Sequence, residues 1–236
     1  MRNTYFRDPR ARSLPPPHRR GTGPLSQWRR KLDNVPSSII FWSILGINGV
    51  VFFGWWFAVE SYKKFGDHKL LVWMNENFTA SLRNVASGRI WTVLTACFSH
   101  EGTGHILLNA MSFYFMAPPV LAILGNTAFL ALYLGGGIVS SLTSLAFNNL
   151  INRKHVSSHG ASGDIYSVVS FFACAFPRTT FLLFFIVPVP AWACVSGLFA
   201  WDLMNALSSK RGTTDSAGHI GGILAGIGYF LLRRRF

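Results

Sequence analysis

The chain has 236 residues, of which 50% are apolar and only 13% are charged. Because a soluble domain carries about 25% charged residues, this composition excludes an ordinary water-soluble protein and indicates a membrane protein. The 22 Lys and Arg residues outnumber the 9 Asp and Glu residues, but they cluster before the first apolar segment and after the last, which indicates membrane topology signals and argues against a nucleic-acid partner.

Residues 1–37 form a basic leader. The leader is rich in Arg, nearly free of acidic residues, and lacks the apolar segment of a secretory signal peptide. It is open to two interpretations, a mitochondrial transit segment or a disordered cytosolic tail. We predict a disordered leader over residues 1–37 and one membrane domain over residues 38–236.

Apolar segments of about the length that crosses a bilayer follow the leader. The six predicted spans cover residues 38–60, 104–124, 126–147, 161–176, 180–203 and 217–232. Pro118 and Pro119 are expected to interrupt the second span, and prolines are expected to break the fifth. The sequence therefore predicts an all-α membrane protein, a bundle of six transmembrane helices.

The stretch 61–101 between the first two spans mixes charged and apolar residues. It is too polar to cross a bilayer and too apolar for a solvated linker, so we expect a long first loop of short amphipathic helices lying in the membrane interface. Six spans place both termini on one side. The excess of basic residues there predicts that this side is the cytosol or the mitochondrial matrix, with the long loop opposite.

Few polar residues lie inside the predicted spans, where polar groups are unfavourable and are usually functional. His105 and Asn109 lie one helical turn apart in the second span, Ser162 and Tyr166 lie one turn apart in the fourth, and His219 begins the sixth. Each alone is more often an interhelical hydrogen bonder. Because alternate spans descend from the same side, we expect these side chains to meet at one depth, which favours a functional site.

The chemistry that these residue types perform is acyl transfer, which needs neither a metal nor a cofactor. His219 is the candidate base that activates Ser162 as a nucleophile. The His105 imidazole, the Asn109 amide and the Ser162 backbone N–H are candidate donors to an oxyanion. Asp164 points to the opposite helix face from Ser162, so we predict a Ser–His dyad without an acidic third member, with Tyr166 stacked on the His219 ring.

Glycines favour close approach of the fourth and sixth spans. Gly218, Gly222 and Gly226 repeat every four residues on the sixth span, and Gly163 lies on a small-residue face of the fourth. This packing is expected to bring Ser162 and His219 within hydrogen-bond reach.

In this order, His105-x-x-x-Asn109, Gly160-x-Ser162-Gly163 with Tyr166, and Gly218-His219-x-x-Gly222 resemble the motifs of the rhomboid proteases. The resemblance implies that Ser162 and His219 form the catalytic dyad, that His105 and Asn109 line the oxyanion hole, and that Tyr166 packs on His219. Gly160, Gly163 and Gly222 are implied as supporting residues, and His100 resembles a second family histidine.

Two further features bear on the kind of rhomboid. The basic leader and the stretch 215–222 look more like mitochondrial rhomboids, fungal ones in particular, than bacterial ones. Many rhomboids carry a Trp-Arg pair in the first loop, whereas this sequence has Trp91-Thr92, a departure that concerns the stability of that loop.

The predicted function is that of an intramembrane serine endopeptidase that cleaves single-span membrane proteins in the lipid bilayer. The alternative is a catalytically inactive rhomboid relative that binds or dislocates membrane clients; the presence of both Ser162 and His219 favours the enzyme. The leader favours the mitochondrial inner membrane over a secretory-pathway membrane. The substrate and the oligomeric state stay open.

Overall fold

The computed structural model describes residues 23–100, 102–151, 157–183, 186–208 and 214–233. These residues form ten α-helices and one β-hairpin. The helices are α1 Pro24–Asp33, α2 Ser37–Phe65, α3 Lys69–Phe78, α4 Leu82–Ala86, α5 Thr92–Thr95, α6 Thr103–Leu124, α7 Asn126–Ala146, α8 Ser162–Ala175, α9 Ala191–Leu207 and α10 Ser216–Arg233. The strands are β1 Thr180–Leu183 and β2 Val187–Pro190, and short helical turns add Ala96–Phe98 and Phe147–Ile151.

Among the described residues, three helices are long and apolar enough to cross a membrane: α2, α6, and α7 with the turn that extends it to Ile151. Helix α8 is apolar but shorter. The outer face of α2 carries large apolar side chains that are more than half exposed: Trp42, Val50, Phe53, Trp56 and Phe57. Such a surface suits lipid rather than water. Helices α2, α6, α7, α8 and α10 coincide with predicted spans, and α9 overlaps the predicted fifth span. That all six cross the membrane stays a prediction.

Helix α6 differs from the prediction because it runs without a break through Pro118 and Pro119. A proline removes one backbone donor, so these two residues disrupt the hydrogen-bond ladder only locally. Buried neighbours on the same helix, including Ala117, Val120 and Leu121, hold this segment by packing. The predicted interruption is therefore wrong.

The predicted fifth span is wrong in its first part. The strands Thr180–Leu183 and Val187–Pro190 pair antiparallel, with Thr180 opposite Pro190 and Leu183 opposite Val187, and α9 begins only at Ala191. Pro188 and Pro190 lack the N–H that a helix interior requires, which explains the extended backbone. The helical part of this segment is thus shifted toward the C-terminus.

Part of the predicted leader is ordered. Residues 24–33 form α1 rather than a disordered chain, and residues 1–22 lie outside the described residues. The Asn126 side chain at the start of α7 donates to the carbonyl oxygens of Leu32 and Val35, and the Asp33 carboxylate accepts from the Thr127 N–H at 2.8 Å. These bonds fix the end of α1 against α7.

The segment between α2 and α6 forms short helices, as predicted, although α2 extends to Phe65 and so includes the first residues of the predicted loop. Met74 of α3 packs in a small core with Val51 and Trp55 of α2. The indole N–H of Trp55 also donates to Ser99 Oγ at 2.5 Å. These contacts attach the loop to the bundle, and its position in the membrane interface stays a prediction.

Helix α8 lies at the centre of the bundle, where α6, α7, α9 and α10 all contact it. Its buried residues Val168 and Phe171 join an apolar core with Phe113 of α6 and with Phe129 and Tyr133 of α7. Because protein interiors are close-packed, this arrangement leaves α8 little freedom to move. The first turn of α8, which begins at Ser162, is therefore held in a defined position.

Candidate active site

Ser162 and His219 meet where the first turns of α8 and α10 come together. The Oγ atom of Ser162 lies 2.9 Å from Nε2 of His219, which is an ordinary hydrogen-bond length. His219 is 9% exposed, so its imidazole is largely removed from bulk water. Ser162 and His219 thus lie within hydrogen-bond reach of each other, as predicted.

Close packing of α8 against α10 makes this contact possible. A Cβ atom at Gly222 would overlap the carbonyl oxygen of Gly163, and one at Gly226 would overlap the carbonyl oxygen of Ser167. Without these Cβ atoms the two helix backbones approach each other directly, which is how small residues drive helix association in a membrane. The predicted role of the glycine stripe in the approach of α10 to α8 is confirmed for Gly222 and Gly226, whereas Gly218 faces Ser140 of α7.

An acidic residue that the sequence reasoning missed lies on the other side of the His219 ring. Nδ1 of His219 is 3.1 Å from Oδ1 and 3.2 Å from Oδ2 of Asp202, and Asp202 of α9 is 1% exposed. The expectation of a dyad without an acidic neighbour is corrected by this contact. A signal was present, because an ionisable residue inside an apolar span is by default a functional candidate.

Tyr166 packs flat on the His219 ring. The two ring centroids are 4.5 Å apart, with an angle of 23° between the planes. Stacking of this kind restricts rotation of the imidazole about χ2. Together, Asp202 at the edge of the ring and Tyr166 on its face hold Nε2 toward Ser162.

Asp164, which the sequence reasoning set aside, lies away from the dyad. It is fully buried, and its carboxylate occupies the space beside Gly137 of α7, where a Cβ atom would come within 2.6 Å of Oδ2. Its direction agrees with the expected opposite face of α8.

His105, a candidate donor to the oxyanion, lies next to Gly160, two residues before Ser162. The His105 imidazole is in contact with Gly160, where an added Cβ would lie 2.7 Å from His105 Cε1. Gly160 has φ +128°, a conformation that L-residues with side chains rarely adopt. A glycine is thus needed there for two reasons, its backbone conformation and the close approach of the imidazole.

Asn109 reaches the same region through His100. The Asn109 amide nitrogen lies 3.0 Å from Nε2 of His100, and the Ala161 N–H points to the same nitrogen at 3.4 Å. Burial, together with the smaller effect of the nearby His105, lowers the pKa of His100 to about 4. A neutral His100 accepts at Nε2, so it links α6 to the backbone beside Ser162 and orients the Asn109 amide.

Within the described residues, no three His, Cys, Asp or Glu side chains come together in a way that could hold a metal ion. The polar groups of the site are a hydroxyl, an imidazole that contacts it, and a carboxylate behind the imidazole, an arrangement that can activate a serine for nucleophilic attack.

Comparison with known proteins decides the family. The rhomboid domain profile matches residues 87–236, more than half of the chain and every residue of the candidate site. The chain belongs to the rhomboid family. This rhomboid resembles the Saccharomyces cerevisiae protein "Rhomboid protein 1, mitochondrial", with 29% identity over 196 residues that cover 82% of this chain and 53% of the yeast protein.

Two further relatives carry similar names. The Arabidopsis thaliana protein "RHOMBOID-like protein 12, mitochondrial" is 29% identical over 175 residues, which cover 68% of this chain and 52% of the plant protein. The Danio rerio protein "Presenilin-associated rhomboid-like protein A, mitochondrial" is 26% identical over 223 residues, which cover 86% of this chain and 55% of the fish protein. This rhomboid chain thus spans about half the length of the curated relatives that it matches.

Proposed function

We propose that this rhomboid is an intramembrane serine endopeptidase that cleaves single-span membrane proteins. The observation that carries the proposal is the 2.9 Å contact between Ser162 Oγ and His219 Nε2. The Asp202 carboxylate, 3.1 Å from Nδ1 of the same imidazole, supports the assignment of His219 as a base. A serine hydroxyl is a weak nucleophile until such a base removes its proton.

In the first step, His219 Nε2 takes the proton of the Ser162 hydroxyl while Oγ attacks the carbonyl carbon of the scissile peptide bond. The C=O π bond opens, and its electron pair remains on oxygen as an oxyanion. Asp202 keeps the proton of the neutral imidazole on Nδ1, which leaves Nε2 free to accept. It also stabilises the imidazolium cation that forms.

The oxyanion requires donors aimed at it. We assign this role to the Ser162 backbone N–H, the His105 imidazole and the Asn109 amide. The proximity of His105 to Gly160 supports the first side chain, and the amide hydrogen that Asn109 does not use toward His100 supports the second. Preorganised donors of this kind contribute on the order of 3–4 kcal/mol each to transition-state stabilisation.

In the next step, the C–N bond breaks and the imidazolium Nε2–H protonates the leaving amine. An acyl-enzyme ester on Ser162 remains. Water then gives one proton to His219, attacks the ester carbonyl, and releases the carboxylic acid while Ser162 Oγ takes its proton back. Each cycle consumes one water molecule and restores the neutral imidazole.

The substrate class follows from the membrane setting. If α2 and α6–α10 all span the bilayer, Ser162 and His219 lie near one surface of the membrane, at the first turns of α8 and α10. A peptide bond in a transmembrane helix is sterically shielded and fully hydrogen-bonded, so it must unwind before a serine can reach it. We therefore expect preferred cleavage in helix-destabilising segments near that surface.

The proposed location is the mitochondrial inner membrane. The names of the yeast, plant and fish relatives contain the word mitochondrial, and the Arg-rich, acid-poor leader is consistent with import. The basic ends would face the matrix under the positive-inside rule.

The proposal is tested by incubating detergent-solubilised protein with a fluorogenic transmembrane substrate. We expect cleavage by the wild-type protein and none above background with Ser162→Ala, which removes only the Oγ atom. Specific binding of the substrate without cleavage would instead favour an inactive client-binding rhomboid. Cleavage that survives the substitution would remove Ser162 from the role of nucleophile.

A further inference from the structure

Asp215 lies between α10 and the segment that leads to Ser162, and each of its carboxylate oxygens contacts a different one of these elements. Oδ1 accepts the Gly218 N–H at 3.0 Å, and the Asp215 carbonyl oxygen accepts the His219 N–H at 3.0 Å. Asp215 is therefore the N-terminal cap of the helix that carries the base. Its second oxygen, Oδ2, accepts the hydroxyl of Ser158.

Ser158 belongs to the segment 157–161 that precedes the nucleophile. Its backbone N–H and C=O both pair with Ala80 of the first loop at 2.8 Å. Two residues later, the Gly160 N–H donates to the Ala96 carbonyl oxygen at 2.9 Å. The segment is thus fixed to the first loop on one side. On the other side, the Ser158 hydroxyl bonds to Asp215 at the start of α10.

The Asp215 carboxylate lies against the backbone of α10. A Cβ atom at Gly218 would lie 2.6 Å from Asp215 Oδ2 and 3.0 Å from Ser140 Oγ of α7. The carboxylate therefore lies between the backbone of α10 and the Ser158 hydroxyl. Hydrogen bonds to an ionised carboxylate are shorter and stronger than those to a neutral acceptor.

We propose that Asp215 is a positioning residue: by bonding Ser158 with one oxygen and Gly218 with the other, it sets the separation between Ser162 and His219. The inference rests on the proposed serine protease function and adds a residue to it. Asp215 touches neither the substrate nor the reacting atoms, so its effect is on the geometry of the dyad. A misplacement of about 1 Å at a catalytic centre can lower a rate by about 100-fold.

The cap and the bond to Ser158 can be separated by substitution. Asp215→Ser retains a good helix cap but is too short to reach Ser158, whereas Ser158→Ala retains the cap fully. Asp215→Asn keeps both contacts, because its amide oxygen accepts from Gly218 and its amide nitrogen donates to Ser158 Oγ. Asp33→Ser is the matched control, since Asp33 also accepts a backbone N–H at a helix start, that of Thr127, but at the far side of the bundle.

The experiment measures the rate of Ser162 labelling by a fluorophosphonate probe, kcat and KM on a transmembrane substrate, and thermal stability in detergent, all on the full chain. For Asp215→Ser and Ser158→Ala we expect labelling and kcat to fall by about 10- to 100-fold, with KM within about twofold and little change in Tm. Asp215→Asn should recover the rate to within about fivefold of wild type, and Asp33→Ser should leave it unchanged. The double variant Asp215→Ser/Ser158→Ala should be no slower than the slower of its two single variants, because each single substitution already removes the same bond.

Several outcomes would overturn the inference. One is an unchanged rate in Asp215→Ser, and another is a rate in Asp215→Asn as low as that in Asp215→Ser. A third is that the losses of the two single variants multiply in the double variant, which would show that they are independent. The last is a loss of rate that follows the loss of Tm in every variant. Absence of labelling in the wild-type protein would overturn the proposed protease function itself, and the two failures are therefore distinguishable.

Discussion

Asp202 and Ser162 lie on opposite edges of one imidazole: the Asp202 carboxylate is 3.1 Å from Nδ1 of His219 and the Ser162 hydroxyl is 2.9 Å from Nε2. The two contacts use both ring nitrogens. With Asp202 accepting from Nδ1–H, the imidazole has a single tautomer available, the one that can take a proton from serine.

The first prediction concerns this carboxylate. Asp202→Asn is expected to lower kcat by roughly 100- to 10,000-fold, because an amide can donate to Nδ1 and so favour the wrong tautomer. Asp164→Asn is the control, since Asp164 is also a buried carboxyl but lies beside Gly137 of α7. Equal losses of activity per folded molecule in the two variants would show that Asp202 has no special relation to His219.

The second prediction separates oxyanion donors from structural hydrogen bonders. His105→Ala and Asn109→Ala should each lower kcat by about 10- to 1,000-fold while the protein stays folded. The measurement combines turnover with thermal stability in detergent. If activity and Tm fall together in Asn109→Ala, Asn109 stabilises the fold through its bond to His100 and is not an oxyanion donor.

The third prediction concerns the packing of α8 against α10. Gly222→Ala places a methyl group against the Gly163 carbonyl and should destabilise the protein by about 1–3 kcal/mol. Because the helices must separate, labelling of Ser162 should also slow. The added methyl group of Gly228→Ala on the same helix meets no atom within 4 Å, so this control should change neither the stability nor the labelling rate. An equal effect of both substitutions would contradict the close approach of α8 and α10.

The fourth prediction is a pH dependence of stability that arises from His100. Its pKa is lowered to about 4 by burial, whereas an unfolded histidine titrates near about 6.5. Between these values the unfolded chain binds more protons, so stability is fully present above pH 6.5 and is lost as pH falls toward 4, by up to about 3 kcal/mol. Tm measured between pH 7 and 4.5 should therefore fall less steeply in His100→Gln than in wild type. His68→Gln, at an exposed site, should keep the wild-type slope, and a common slope in all three proteins would rule out this role for His100.

The fifth prediction concerns the compartment. Asn77-Phe78-Thr79 is an N-glycosylation sequon in the segment between α2 and α6. In a mitochondrial membrane the sequon stays unmodified, so endoglycosidase treatment of protein from its native cells should leave its gel mobility unchanged, and fractionation should place it with mitochondria. A shift that disappears in Asn77→Gln would contradict the mitochondrial location.

The contact between Ser162 and His219 was predictable because its determinants are local. Ser162 is followed directly by Gly163, and Gly222 follows His219 by three residues, so each glycine lies within about one turn of the reactive residue on the same helix. Small residues at such spacing indicate helices that approach closely. The pairing of α8 with α10 followed from two motifs that can be read without any knowledge of the other helices.

Asp202 was missed because its relevance depends on where α9 ends. Asp202 lies near the C-terminal end of α9 and His219 near the start of α10, so consecutive helices bring the two to one level. The prediction placed a span over residues 180–203, which left Asp202 at its margin. Periodicity could not separate the hairpin from the helix, since a short apolar run suits either structure.

Whether Ser162 and His219 act as nucleophile and base is tested most directly by the site at which a serine-reactive fluorophosphonate probe labels the intact protein, read by mass spectrometry. We expect a single modified residue, Ser162, and labelling that is lost as completely in His219→Ala as in Ser162→Ala, because the base activates the nucleophile. Undiminished labelling of Ser162 in His219→Ala, or labelling that persists in Ser162→Ala, would contradict these roles.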